Sequence, residues 1–236
     1  MPDIRTVAET GSTNDDVMAL AREGAGEGLW LRAEVQRAGR GRQGRAWIAP
    51  PGNLSASTLV RLRKDDPPAP GLALVAAVAL EEAARGWSGE APLALKWPND
   101  LLLGGVKLAG ILLERESNAV VAGFGVNLAH APADIDRPAT TLAAAGIAPP
   151  PPDLFLGDLA EAFARWLARW RNAGPTPVIA RWRERAHAVG TALRVAMPGG
   201  EVLDGLFDGL DDQGALRLRM PGGEIVCVSA GDVFLI

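Results

Sequence analysis

Residues 36–47 read Gln36-Arg37-Ala38-Gly39-Arg40-Gly41-Arg42-Gln43-Gly44-Arg45-Ala46-Trp47, with three glycines set among arginines and a tryptophan at the close. Glycine lets a backbone approach a ligand closely and reach positive φ. Arginine adds permanent charge and a forked set of donors suited to phosphate and carboxylate. A loop that combines them is built to wrap an anion, and its glycine content predicts a mobile segment until the anion arrives. Solvated basic loops and nucleic-acid-binding tails have a similar composition, so these residues alone leave those readings open.

Three more polar or glycine-rich stretches interrupt apolar strands: Ser12-Thr13-Asn14, Lys96-Trp97-Pro98-Asn99-Asp100 leading to Lys107-Leu108-Ala109-Gly110, and Gly123-Phe124-Gly125-Val126-Asn127. Each has a plain structural alternative: a helix cap at Ser12, a turn at Asn99-Asp100, a solvated strand lysine at Lys107. Gly123 and Gly125, two apart on one strand face, predict a backbone that something else approaches closely.

The elements that must carry these stretches follow from periodicity. Residues 4–8 and 29–35 read as strands, joined by a helix that Ser12 caps, that carries early acidic residues, and that Gly24 stops. Residues 53–62 alternate, with Leu54, Ala56, Thr58, Val60 and Leu62 on one face and Ser55, Ser57 and Arg61 on the other. Residues 72–84 form a helix apolar nearly all round, hence a central one. Residues 93–96, 106–115 and 119–128 are strands, with turns at Gly104-Gly105 and Ser117-Asn118. Small helices among antiparallel hairpins predict an α+β fold with a mixed, mainly antiparallel sheet.

Beyond the prolines at 149–152, helices are expected over 153–172 and 177–188, with Trp166, Trp170 and Trp182 as packing residues. After Gly190, four short strands (193–196, 202–207, 215–219 and 224–228) separated by Pro-Gly-Gly and Asp-Gln-Gly turns predict a small β-barrel. Two domains are therefore expected, 1–189 and 190–236, the second leaning on the first because so small a piece is marginal alone.

Composition excludes several classes. The formal charge of −4 over 236 residues argues against a general nucleic-acid binder. One cysteine, Cys227, permits no intrachain disulfide and suits a reducing cytosol. Only His130 and His187 are present, neither near a second plausible ligand or nucleophile, which disfavours zinc and Ser/His hydrolase chemistry. No signal pattern opens the chain, and the apolar run at 72–80 is too short to span a bilayer, so a soluble cytoplasmic protein is expected.

Taken together, Ser12-Thr13-Asn14, the Gly39–Arg45 run with Trp47, Lys96-Trp97-Pro98-Asn99-Asp100, Lys107-Leu108-Ala109-Gly110-Ile111-Leu112 with Glu114, and Gly123-Phe124-Gly125-Val126-Asn127 resemble the catalytic part of bacterial biotin protein ligases. The motifs stand in that family's order and at about its spacing, and the resemblance extends through the C-terminal β-domain. It implies a class II aminoacyl-tRNA synthetase/biotin ligase-like fold with an SH3-like C-terminal barrel. It implies ATP and biotin as substrates with Mg²⁺, giving biotinyl-5′-AMP, and a carrier-domain lysine of a carboxylase as acceptor. By resemblance, Arg42 and Lys107 are catalytic. Ser12, Thr13, Asn14, Gln36, Arg40, Gly41, Arg42, Lys107 and Gly110 contact biotin. Arg42, Arg45, Trp47, Asn99, Lys107 and Asn127 hold ATP, and Asp100 meets the metal. A strand starting at residue 4 leaves no room for a preceding helix-turn-helix, so a monofunctional form that binds no specific DNA and no membrane, a monomer or weak homodimer, is expected. Gln43 stands where some members carry another basic residue. The rival readings are a lipoate–protein ligase, which shares the fold and chemistry, and a nucleic-acid-binding module.

Overall fold

The computed structural model describes residues 3–131 and 138–236. Its larger sheet begins with β1 (Asp3–Thr10), followed by α1 (Thr13–Arg22) and β2 (Leu29–Gln36), which runs parallel to β1. A parallel pair needs such a crossover element between its strands. Ser12 caps α1 by accepting from the Asp15 N–H, and Asp15 and Asp16 complement the positive helix start. The helix stops at Glu23, and Gly24 follows with φ 91°.

The remaining strands of this sheet are antiparallel: β3 (Leu54–Arg61), β4 (Leu93–Lys96), β5 (Asp100–Leu103), β6 (Val106–Glu116) and β7 (Ala119–Val126). The strand order is β1-β2-β3-β7-β6-β5-β4. The central strands β3 and β7 are buried on both faces. One face meets α2 (Gly71–Ser88), α3 (Pro152–Ala173) and α4 (Thr176–Arg185), in a core that holds Leu54, Ala56, Val60 and Phe124. The other meets α1 through Val17, Met18, Ala21, Leu31 and Leu59. The alternation read along 53–62 is therefore real, but its second face is also covered. Ser57 lies on that second face, fully buried.

Trp170 and Trp182 are core residues, and Trp166 donates to Glu82 at the core's edge, as packing aromatics should. The fourth helix ends at Arg185 rather than at 188. Ala186 is extended and bridges Leu95 of β4, and His187 N–H donates to the Leu95 carbonyl at 3.3 Å. Pairing with a strand edge replaces the last helical turn.

The C-terminal sheet contains β8 (Ala192–Ala196), β9 (Val202–Leu210), β10 (Leu216–Arg219), β11 (Ile225–Val228) and a fifth strand, β12 (Asp232–Leu235). It is antiparallel in the order β11-β10-β9-β8-β12. Four strands were expected here; β12 adds to the outer edge of β8. Trp97 Nε1 donates to the Gly214 carbonyl at 3.1 Å and Lys96 Nζ to the Val233 carbonyl at 3.0 Å, so the two sheets meet beside the Lys96–Asp100 turn. No helix among the described residues is long and apolar enough to cross a membrane.

Candidate active site

A cavity of about 810 Å³ opens where the start of α1, the loop after β2, the β4–β6 hairpin, β7 and β12 converge. Its floor is polar. Ser12, Thr13 and Asn14 are buried there at the start of α1, with Gln36 at the end of β2. Gln36 Oε1 accepts from the Thr13 N–H at 2.9 Å. Asn14 reaches across to β6, donating from Nδ2 to Glu114 Oε2 at 2.7 Å. Gly123 makes this possible: a Cβ there would lie well inside 3.0 Å of Asn14 Oδ1.

The Gly/Arg loop lines the cavity. Gly41 N–H donates to the Arg45 carbonyl at 2.7 Å and Trp47 N–H to the Gly39 carbonyl at 2.8 Å, giving a small hairpin. Gln43 takes the left-handed conformation (φ 58°, ψ 30°) within its tip, where most other residue types are disfavoured and glycine or asparagine is the usual choice. Arg40 pairs with Asp15 at 2.5 and 2.7 Å. That bond holds the Asp15 carboxyl below its ordinary range. Arg42 donates to the Gly231 carbonyl at 3.0 Å and lies 3.6 Å from Asp232, while Arg45 meets Asp232 at 3.0 Å. The loop is thus latched to β12.

At the hairpin, the Asp100 carboxylate sits between Lys107 Nζ at 2.6 Å and Lys96 Nζ at 3.0 Å. Burial alone would raise its pKa, but the two ammonium charges outweigh burial and lower it. Lys107 also lies 5.6 Å from the Trp47 ring centroid. Asn99 Nδ2 donates to the Ile111 carbonyl at 2.7 Å, which ties the turn before β5 to β6. Gly110 leaves room for both Lys107 and Trp47. Asn127 is almost wholly buried, and its Oδ1 and the Trp47 Nε1 are buried without a hydrogen-bond partner, so each is open to a ligand.

Every residue singled out in the sequence as a site candidate lines this one cavity. Three features were not anticipated. Asp232 and Phe234 enter from β12, the strand the sequence reading omitted, although the apolar run Val233-Phe234-Leu235-Ile236 after Gly231 was its signal. Lys96 joins Lys107 on Asp100. Asp100, which the resemblance places at the metal, has its carboxylate between two lysines, and among the described residues no group of three His, Cys, Asp or Glu side chains is placed to hold a metal ion.

Chemically, the cavity combines hydrogen-bonding side chains with the cations Arg42, Arg45, Lys96 and Lys107. Such a site can press a carboxylate against a phosphate, because fixed cations offset the repulsion between the two anions. Fold and cavity together define a ligase that activates a carboxylate. The Biotin/lipoate A/B protein ligase family model matches residues 13–129, and the Biotin protein ligase C terminal domain model matches residues 190–236. The biotin–[acetyl-CoA-carboxylase] ligase of Mycobacterium tuberculosis is 41% identical over 233 residues, 96% of this chain and 86% of that one. That of Paracoccus denitrificans is also 41% identical, over 89% of this chain and 91% of its own. The biotin protein ligase from Aquifex aeolicus, solved in complex with biotin and ATP, superposes with a TM-score of 0.87 at 23% identity, covering 100% of both chains. The chain belongs to the biotin–[acetyl-CoA-carboxylase] ligase family.

Proposed function

We propose that this chain condenses biotin with ATP to biotinyl-5′-AMP and pyrophosphate, then passes the biotinyl group to a lysine of the biotin carboxyl carrier domain of acetyl-CoA carboxylase. The observation that carries the proposal is the convergence of all four motif stretches on one cavity lined by both hydrogen-bonding side chains and cations. The family relationship supports the same reading.

In this reading Ser12, Thr13 and Gln36 hydrogen-bond the ureido ring, whose polar edge must be paired once buried. Asn14 supports them, and Arg40, Gly41 and Gly110 bound the acyl chain. Arg42 and Lys107 act where the carboxylate meets the α-phosphate, lowering the barrier by offsetting the repulsion as the two anions are pressed together and the charge that builds on the phosphate oxygens in the transition state. Arg45, Trp47, Asn99 and Asn127 receive the adenosine side, and the orphaned Trp47 and Asn127 atoms fit a purine nucleoside with donor and acceptor edges. Asp100 orients the two lysines. Mg²⁺ enters as the counter-ion of the ATP phosphates, as its preference for phosphate oxygens and water allows, and no step assigned to the chain runs through it. The loop closed over the cavity keeps water from the mixed anhydride until the carrier lysine arrives.

Residues 1–189 then form the catalytic domain and 190–236 a small domain that supplies β12 to the site. The protein acts in the cytoplasm as a monomer or weak homodimer, without sequence-specific DNA binding. Incubation with ATP, Mg²⁺ and radiolabelled biotin yields labelled biotinyl-adenylate, and addition of a carrier domain moves the label onto protein. Adenylation of lipoate in preference to biotin would overturn the assignment.

A further inference from the structure

The hydrogen bonds beneath the cavity floor have a forced direction. Asn14 Nδ2 faces two groups that can only accept, Glu114 Oε2 at 2.7 Å and the Leu112 carbonyl at 3.4 Å. That fixes the amide orientation and turns Asn14 Oδ1 towards Ser57. Ser57 Oγ lies 2.6 Å from Asn14 Oδ1, which has no proton to give, so Ser57 must spend its single proton there. Ser57 Oγ also lies 2.7 Å from Thr13 Oγ1. With its own proton committed, Ser57 can only accept in that bond, and Thr13 must donate. Gln36 Oε1, at 3.1 Å, is the more distant rival for the Thr13 proton and already receives the Thr13 N–H.

The consequence reaches the cavity. Thr13, with its proton directed into the wall, turns lone pairs towards the ligand and is an acceptor. Gln36, with Oε1 engaged, has Nε2 left over as a donor. A cyclic urea carries an N–H donor beside a C=O acceptor, so the floor matches its edge in polarity as well as in shape. Ser57 is fully buried behind the wall, and Glu114 stands on β6 at the far end of the chain of bonds. Ser57 is paired across the ladder with Gly123, whose missing side chain gives Asn14 its place.

We infer that Ser57 and Glu114 are positioning residues which, through Asn14, hold Thr13 as an obligatory acceptor and so make the site select a ring N–H. This inference rests on the biotin reading of the cavity. It predicts discrimination against the two ring-carbamate analogues of biotin, in each of which one urea N–H is replaced by oxygen. Facing Thr13, such an oxygen sets acceptor against acceptor.

The test compares adenylate formation with biotin and with each carbamate analogue, in the wild-type chain and in variants. Wild type disfavours one analogue by roughly 10- to 100-fold in kcat/KM, the range for leaving buried polar groups unpaired. In Ser57→Ala the Thr13 hydroxyl loses its nearer acceptor and keeps only Gln36 Oε1 at 3.1 Å, which already receives the Thr13 N–H. It can then turn and donate to the ligand, and the discrimination falls to within about threefold, mainly through KM. Glu114→Ala, at a partly exposed position that threatens folding less, leaves only the Leu112 carbonyl at 3.4 Å to orient Asn14 and moves the ratio the same way to a smaller extent. Glu114→Gln keeps an acceptor for Asn14 and retains the wild-type ratio. A purely structural role for these residues lowers activity on all three substrates alike and leaves the ratio unchanged. An unchanged ratio in both alanine variants, or no discrimination by wild type, overturns the inference. Absence of any biotinyl-adenylate from wild type instead overturns the function proposed for the cavity.

Discussion

The indole of Trp47 occupies the space that a side chain on Gly125 would fill: a Cβ on Gly125 would lie well inside 3.0 Å of Trp47 Nε1 and Cε2. The loop that closes the cavity and the strand that floors it thus touch through a missing methyl group. Gly125→Ala should push the indole outward, and misfits of this size in packed sites cost about 1–3 kcal/mol. The KM for ATP should rise about tenfold or more, while biotin binding by calorimetry without nucleotide changes far less. An ATP KM within twofold of wild type would show that Trp47 does not contact the nucleotide.

Lys107→Ala should slow adenylate formation by about a hundredfold or more, the usual effect of losing one preorganised charge at a developing centre. It also leaves Asp100, buried, with Lys96 as its remaining cation. The double variant Lys107→Ala/Asp100→Asn should recover thermal stability lost in the single variant without recovering activity. Measured melting temperatures and single-turnover rates separate the two effects, and recovery of both together would reduce Lys107 to a structural partner of Asp100.

Arg42 is held by the Gly231 carbonyl and lies near Asp232, so its removal weakens both the anion contact and the latch to β12. Arg42→Gly should release biotinyl-adenylate before carrier capture, and free activated biotin then labels bystander lysines. Asp232→Asn should show a weaker form of the same leak, since Arg45 loses its ion pair too. A streptavidin blot with a bystander protein lacking any carrier domain reads both. A variant that still makes adenylate but leaves the bystander unlabelled would remove the residue from intermediate retention.

Burial depresses the pKa of His187 from 6.5 to about 4, with the nearby Lys96 charge adding in the same direction and the Ala188 backbone opposing. Between those two pH values the unfolded chain binds the proton and the folded protein does not. Stability is therefore full above about pH 6.5 and declines as the pH falls towards 4. Allowing for partial exposure, the loss is on the order of 1–2 kcal/mol. His187→Gln should flatten that part of the stability profile in denaturant titrations, and an unchanged slope would assign the acid sensitivity elsewhere. The lowered pKa of Asp100 acts further down: its contribution is present above the ordinary carboxylate pKa of 3.8 and is lost below it.

Much of this protein was legible along the chain. Ser12 as a cap, the alternation of residues 53–62, the all-apolar α2 and the turns at Gly104-Gly105 and Ser117-Asn118 are local signals, written in residues a few positions apart. The site motifs were legible for a related reason: glycines and cations concentrated within short loops announce a ligand without any fold. What the tertiary structure alone decided involves residues far apart in sequence. Asp232 latches Arg45, 187 positions earlier in the chain. Asp100 meets two lysines because a hairpin folds Lys107 back beside Lys96. Ser57 reads as an ordinary polar strand residue until α1 docks on its face and brings Thr13 and Asn14 within hydrogen-bonding distance. Periodicity predicts which face a side chain takes; only packing decides what stands opposite it, and the direction of a buried proton depends on every partner in the chain of bonds.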